Sequence, residues 1–323
     1  MTRRLSILLF VAVLATAGTG ALLVVRERAE SETRPTTPHA TGLALVTVRT
    51  DDALLPAVVG STGFGTTGAL VIPPSVMVVI PGQGESTVSD AMQLEPRPAA
   101  TAISNLLGVW IDDTATLEAA EVAEVADGTG GVEIGRDAVR GTEVSSMLDE
   151  PDPGNVAALQ IVLKALATAG ASWNESNLSE SHNGGHVTEA LSALSGSNVV
   201  TLQADEVASG VVRSSPEQVS QALVETFGGP AAEATPVIVL NGNGVPGIGE
   251  GVAERLIPGG FRVAVSQNAS EFDHAETLIV VGSPDDVGLA ERVRDLLGVG
   301  SVSVSVDSGI APVTVVVGED FSG

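Results

Sequence analysis

The sequence predicts an α/β (α+β) protein with an apolar N-terminal helix, a larger mixed domain and a small βαββαβ domain at the C-terminus. Three observations carry that class. Residues 5–25 are a charge-free run. Beyond residue 42, short Val- and Ile-rich runs bounded by Gly or Pro alternate with stretches of helical period. Gly228-Gly229-Pro230 then breaks this alternation in two, and 323 residues suffice for one large or two ordinary domains.

At about 1.5 Å per residue, residues 5–25 make a helix of roughly 31 Å, which matches a hydrocarbon core of ~30 Å. Arg3 and Arg4 precede the run, and Glu27 and Glu30 dilute Arg26 and Arg28 behind it. Loop charge therefore places the N-terminus inside and the body outside. Ala15, Ala17 and Gly20 keep a cleaved signal peptide open, but the run exceeds the usual apolar region of one. Residues 1–28 read as cytoplasmic N-terminus plus anchor. Residues 29–42, with Pro35 and Pro38, read as a linker.

A domain over 43–229 follows. Strands are expected at 43–48, 69–72, 76–80 and 198–203. Helices are expected at 99–107, closed by Gly108, at 117–125, at 153–169 and at 187–194. The 153–169 helix has a broad apolar face that includes Ile161 and stops at Gly170. Ser215-Pro216-Glu217-Gln218 supplies an N-cap, an N1 proline and an N3 glutamine for a helix running to Phe227.

The final domain, 236–318, reads as strand 237–240, helix 248–257, strands 262–266 and 277–281, a helix opened by Ser283-Pro284-Asp285-Asp286 and closed by Gly298, and strands 302–306 and 313–317. That order suits a small sandwich with its helices on one face.

Charge narrows the function. Fifteen Lys and Arg stand against 40 Asp and Glu, a formal −25, and all but one of the acids lie beyond residue 28. A duplex nucleic-acid binder needs clustered cations and is excluded. Without cysteine there is no disulfide, thiolate metal site or cysteine nucleophile. Aromatic residues are 2% and tyrosine is absent, which argues against a cleft lined with rings.

Gly242-Asn243-Gly244-Val245-Pro246-Gly247 follows a strand and opens a helix, as a dinucleotide site would. Such a site wants an acid about 20 residues on, and none appears before Glu271. It reads as a tight turn instead. His182 and His186 are four apart, but Asn183-Gly184-Gly185 breaks the helix that would align them, so they read as a solvated loop. Glu118, Glu121 and Glu124 read as a solvated helix face. No catalytic residue, metal ligand or cofactor contact is assigned. The ligand contacts expected are Asn241, Asn243 and Asn268, at a strand-to-helix turn and a neighbouring strand end. There Gly242 and Gly244 would leave N–H groups open. The alternative is that the three amides satisfy their own turns.

Residues 237–247 (VIVLNGNGVPG), Ala253-Glu254-Arg255-Leu256, Gly260-Phe261-Arg262-Val263, Asn268-Ala269, Phe272-Asp273-His274, Thr277 and 313–318 resemble the LytR C-terminal domain family, which occurs on cell-envelope proteins. The preceding part is similar to a degenerate LytR–CpsA–Psr domain. Its carriers are Ile72-Pro73-Pro74-Ser75-Val76, Ile80-Pro81-Gly82, residues 106–112 (LLGVWID), residues 130–134 (GGVEI), and residues 155–166 with Gln160.

The resemblance implies an extracytoplasmic fold whose active members transfer glycopolymers from polyprenyl pyrophosphate to peptidoglycan, using arginines and a metal-binding aspartate. Here Pro74 and Ser75 stand where that family has Arg and Asp. Ala157 and Ala158 stand where it has arginines, and residues 143–153 offer no arginine pair. The sequence therefore reads as a single-pass, non-catalytic envelope protein that binds or scaffolds. The partners expected are cell-wall polymer or envelope proteins, an active transferase among them. An active transferase and an envelope-linked regulator are the alternatives.

Overall fold

The computed structural model describes residues 42–61, 66–228, 234–305 and 311–323. The anchor and nearly all of the linker expected at 5–25 and 29–42 lie outside the described residues. Among the described residues no helix is long and apolar enough to cross a membrane. The chain divides into two compact units: Pro38–Val78 with Glu85–Glu233, and Val79–Gly84 with Ala234–Gly323.

From residue 42 to 128 the elements are β1 (Leu43–Arg49), β2 (Leu54–Ser61), β3 (Thr67–Val71), β4 (Met77–Ile80), β5 (Gly84–Thr87), α1 (Val88–Ala91), α2 (Pro96–Leu107), β6 (Asp113–Glu118) and α3 (Ala119–Gly128). There follow β7 (Val132–Ile134), β8 (Asp137–Val139), α4 (Gly141–Leu148), α5 (Gly154–Ala169), β9 (Glu180–His182), α6 (Gly184–Ser192), β10 (Asn198–Thr201), β11 (Asp205–Ala208), β12 (Val211–Arg213) and α7 (Pro216–Phe227).

Six of these strands form a mixed sheet in the order β10-β3-β2-β1-β6-β9. β1 runs parallel to β6 and antiparallel to β2, and β3 runs parallel to β10. Because side chains alternate across a strand, the sheet has two different faces. Ala44, Val46, Val48, Ala115 and Leu117 point into a core closed by α3, α4, α5 and α6. Leu45, Thr47, Thr114 and Thr116 point the other way.

The helices end where local chemistry stops them. Gly108 and Gly170 take left-handed conformations, φ 68° and 65°, behind α2 and α5, which a residue with a Cβ adopts only at a cost. Ser215 Oγ accepts from Gln218 N at 3.2 Å while Gln218 Oε1 accepts from Ser215 N at 2.7 Å, the reciprocal cap of α7. In α5, Val156, Leu159, Val162, Leu163 and Leu166 are buried, each contributing on the order of 2 kcal/mol.

Three readings are corrected. Ile161 is 42% exposed, because it shares a helix face with exposed Ala157, Lys164 and Thr168. Leu117 and Glu118 end strand β6, so the helix begins at Ala119. Strand β2 escapes the pattern reading: Pro56 inside it argues against a central strand. Yet Pro56 sits opposite Thr47, and its carbonyl accepts from Ile72 N at 3.0 Å.

The second unit runs β13 (Thr235–Asn241), α8 (Ile248–Leu256), β14 (Phe261–Asn268), β15 (Leu278–Val281), α9 (Val287–Leu297), β16 (Ser301–Val304) and β17 (Val313–Val317). The sheet order is β14-β13-β17-β15-β16, with β15 and β17 antiparallel and the other pairs parallel. The crossovers β13-α8-β14 and β15-α9-β16 run in opposite directions from antiparallel starting strands. Right-handed connection puts both helices on one face, and α8 and α9 do touch. Val237, Val239, Ile279, Val313 and Val315 pack there with Val252, Leu256, Ala290 and Val293, all at most 1% exposed.

Candidate functional site

The C-terminal ends of β13 and β14 bring two expected ligand contacts together, since Asn241 lies directly opposite Asn268 in the parallel register. Asn241 Nδ2 donates to Val245 O at 2.8 Å, while its Oδ1 accepts from Asn243 N at 3.3 Å and Gly244 N at 2.8 Å. Asn243 Nδ2 donates to Gly318 O at 2.9 Å, and its Oδ1 accepts from Val245 N at 3.0 Å. Gly242 N donates to Val317 O at 3.0 Å. The N–H groups expected to lie open are thus taken up inside the turn, because an Asx side chain is well placed to bond backbone two residues on. Gly244, at φ 73°, carries the Phe272 ring against it: a Cβ there would lie 3.3 Å from Phe272 Cγ. Asn268 is exposed and its side chain makes no hydrogen bond among the described residues.

In the first unit, the segment that follows β3 and Gln160 of α5 come to the same end of the sheet. Thr201 of β10 stands opposite Val71 of β3, so the segment 73–75 leaves the sheet beside it. Gln160 of α5 is fastened to that end: its Nε2 donates to Val199 O at 3.1 Å and its Oε1 accepts from Thr201 Oγ1 at 2.9 Å. Pro74 O accepts from Ser89 N at 2.8 Å, and Ser75 is exposed. Ala157 is exposed one turn before Gln160, whereas Ala158 is 4% exposed and belongs to the core. The nearest cation on that helix is Lys164, seven residues and roughly 10 Å beyond Ala157.

Two arrangements were not legible as sites. His186 does not lie in a solvated loop. It sits in the first turn of α6, where its Nδ1 pairs with Oδ2 of Asp113, whose side chain is 6% exposed. Asp112 is the next group along. Burial holds its carboxyl above the usual carboxylate range, and the charge of Asp113 adds to that; a bond from Gly42 N and the charges of His186 and Arg97 oppose it. Arg97 lies 4.7 Å over the Trp110 ring. His182, in edge strand β9, is exposed and stands opposite Thr114 in the register. Glu118 and Glu121 are also more than a solvated face: Glu118 pairs with Arg49 at 3.0 Å, and Glu121 Oε2 accepts from Glu118 N at 2.7 Å. Among the described residues no cluster of three or more acids and histidines is placed to hold a metal ion.

The chain is similar to solved structures at low identity. One is a LytR-Csp2A-Psr enzyme from Actinomyces oris, at 15% identity over 60% of this chain and 91% of that one, with a TM-score of 0.47. Another is TagT of B. subtilis, at 15% identity over 59% and 90%, with a TM-score of 0.45. A third is TagT bound to LI-WTA, at 14% identity over 59% and 90%, with a TM-score of 0.44. No curated protein matches the chain. For the second unit the family is explicit: residues 234–321 match LytR_C, described as LytR cell envelope-related transcriptional attenuator.

Proposed function

We propose that this chain is a non-catalytic cell-envelope protein that binds or scaffolds during the attachment of glycopolymer to the cell wall. Residues 5–25 would hold it in the membrane, with both units outside and an active transferase among its partners. One observation carries the reading. Around Gln160, the positions that would neutralise a pyrophosphate hold Pro74, Ser75 and Ala157, none of them charged, while Ala158 is packed in the core. Phosphoryl transfer is mostly positioning plus neutralisation of developing negative charge. Losing one donor of that kind costs roughly 10²–10³ in rate, and a chain with a formal charge of −25 repels a pyrophosphate further.

The LytR_C match at 234–321 supports the envelope setting, and the closed asparagine turn leaves Asn268 as its available amide. The binding role is tested by cosedimentation of the purified chain with isolated cell wall. Retention on wall material is the expected result. Recovery of all the protein in the supernatant overturns the role.

A further inference from the structure

We propose that the second unit pairs with a second copy of this chain, extending its sheet across the outer edge of β16. Among the described residues that edge is bare: β16 ends the order β14-β13-β17-β15-β16 and pairs with β15 alone. Ser301 N donates to Thr277 O at 3.0 Å, and Ser305 N donates to Val281 O at 2.8 Å. Backbone groups alternate in direction along a strand. The N–H and C=O of Val302 and Val304 therefore point outward, away from β15.

A bare edge is a template for another strand, and proteins ordinarily blunt it with a charge, a proline, a bulge or a covering segment. The opposite edge, β14, is blunted in this way. Ala264 is left over where its register with β13 slips between Val237 and Ile238. Arg262 adds a charge, and Ser266 Oγ accepts from Gly82 N at 2.8 Å. Residues 300–305 (GSVSVS) contain no proline and no charge, and the β15–β16 register runs without a slip.

The strip is complementary to itself. Val302 lies opposite Ile279 and Val304 opposite Val281, so both valines stand on the helix-covered face, with Ser301 and Ser303 on the other. Val304 is 42% exposed. In an antiparallel pair about a two-fold axis at Ser303, Val302 meets Val304 of the partner subunit, and Ser301 meets Ser305 of the partner subunit. The outward groups of Val302 and Val304 then exchange hydrogen bonds across the axis. Ser303 meets its own copy in the non-hydrogen-bonded position between them. Valine thus packs on valine and hydroxyl meets hydroxyl, both favourable cross-strand pairs. A formal charge of −25 works against self-association in general, and this strip brings no acids together.

The chain contains no cysteine, so a disulfide in a single-cysteine variant must link two copies. Opposed Cα atoms in a non-hydrogen-bonded pair stand about 4.5 Å apart, within the ~4.4–6.8 Å that a disulfide spans. The two copies of position 301 would lie roughly 13 Å apart along the strands, out of reach. The test oxidises the full chain in detergent micelles with copper phenanthroline, as Ser303→Cys and as Ser301→Cys, and reads the products on a non-reducing gel. A cross-linked dimer from Ser303→Cys, with Ser301→Cys staying monomeric, is the expected result. Adding Val304→Lys to Ser303→Cys removes the valine pairs on both sides of the axis and should lower the cross-linked fraction roughly tenfold, whereas Val304→Ile should retain it. Absence of a dimer from Ser303→Cys overturns the proposal. So does cross-linking of Ser301→Cys to the same extent, which would report random collision, or an undiminished dimer with Val304→Lys.

Discussion

Replacing Asn243 by alanine tests whether the asparagine turn of the second unit is built by its own side chains. The variant loses the bond to Gly318 O at 2.9 Å and the bond from Val245 N at 3.0 Å. Gly318 is buried, but its carbonyl keeps a long bond of 3.4 Å from Phe321 N. Val245 is exposed and recovers a water. With about 1 kcal/mol per bond, discounted for those substitutes, the loss is roughly 1.5 kcal/mol. For a unit of about 90 residues and an unfolding entropy near 2.1 cal/mol/K per residue, that lowers Tm by about 8 °C. Both tryptophans, Trp110 and Trp173, lie in the first unit, so their fluorescence follows that unit while far-UV circular dichroism follows both. The expected result is a dichroism transition lowered by about 8 °C with the fluorescence transition unmoved. A second-unit transition within about 1 °C of the wild type would refute the reasoning and return Asn243 to the pool of free ligand contacts.

Other outcomes follow from the same physics. Asp112→Asn should stabilise the first unit at neutral pH. Burial raises the folded pKa of Asp112, so its contribution is complete below the unfolded pKa and is lost as pH rises through the raised value. Urea midpoints that diverge from acidic to neutral pH, with the variant higher, are expected; parallel curves would contradict this. Gly68→Ala should destabilise the same unit by about 3 kcal/mol, since its Cβ would fall 2.2 Å from the Thr226 carbonyl oxygen on α7; an unchanged urea midpoint by tryptophan fluorescence would contradict it. Protease added to intact protoplasts should digest residues 42–323; protection of that body would overturn the proposed orientation.

Much of the fold is written locally. The cap Ser215–Gln218, the left-handed stops at Gly108 and Gly170, and the βαββαβ order of the second unit all depend on residues within a few positions of each other. What escapes depends on tertiary neighbours. Pro56 is tolerated in a central strand because it lies one residue past the last paired position of β3, Ala57 opposite Val71, where its missing N–H costs at most one bond at the end of that ladder. Ile161 looks as apolar as Val162, and only the position of the sheet decides which one is buried. Thr47 and Thr116 are ordinary alternation in each strand, and they face each other only when β1 and β6 pair in register. His186 and Asp113 are 73 residues apart, too far for any spacing rule. The asparagines of the second unit were visible as a turn, but which hydrogens they take up was not.

The central proposal is that the first unit lacks the charges that glycopolymer transfer needs. The direct test incubates the purified chain with a polyprenyl-pyrophosphate-linked donor, peptidoglycan acceptor and Mg²⁺, and measures polyprenyl phosphate released. The expected result is no release above the protein-free control. Protein-dependent release that requires Mg²⁺ and continues over repeated turnovers would contradict the account.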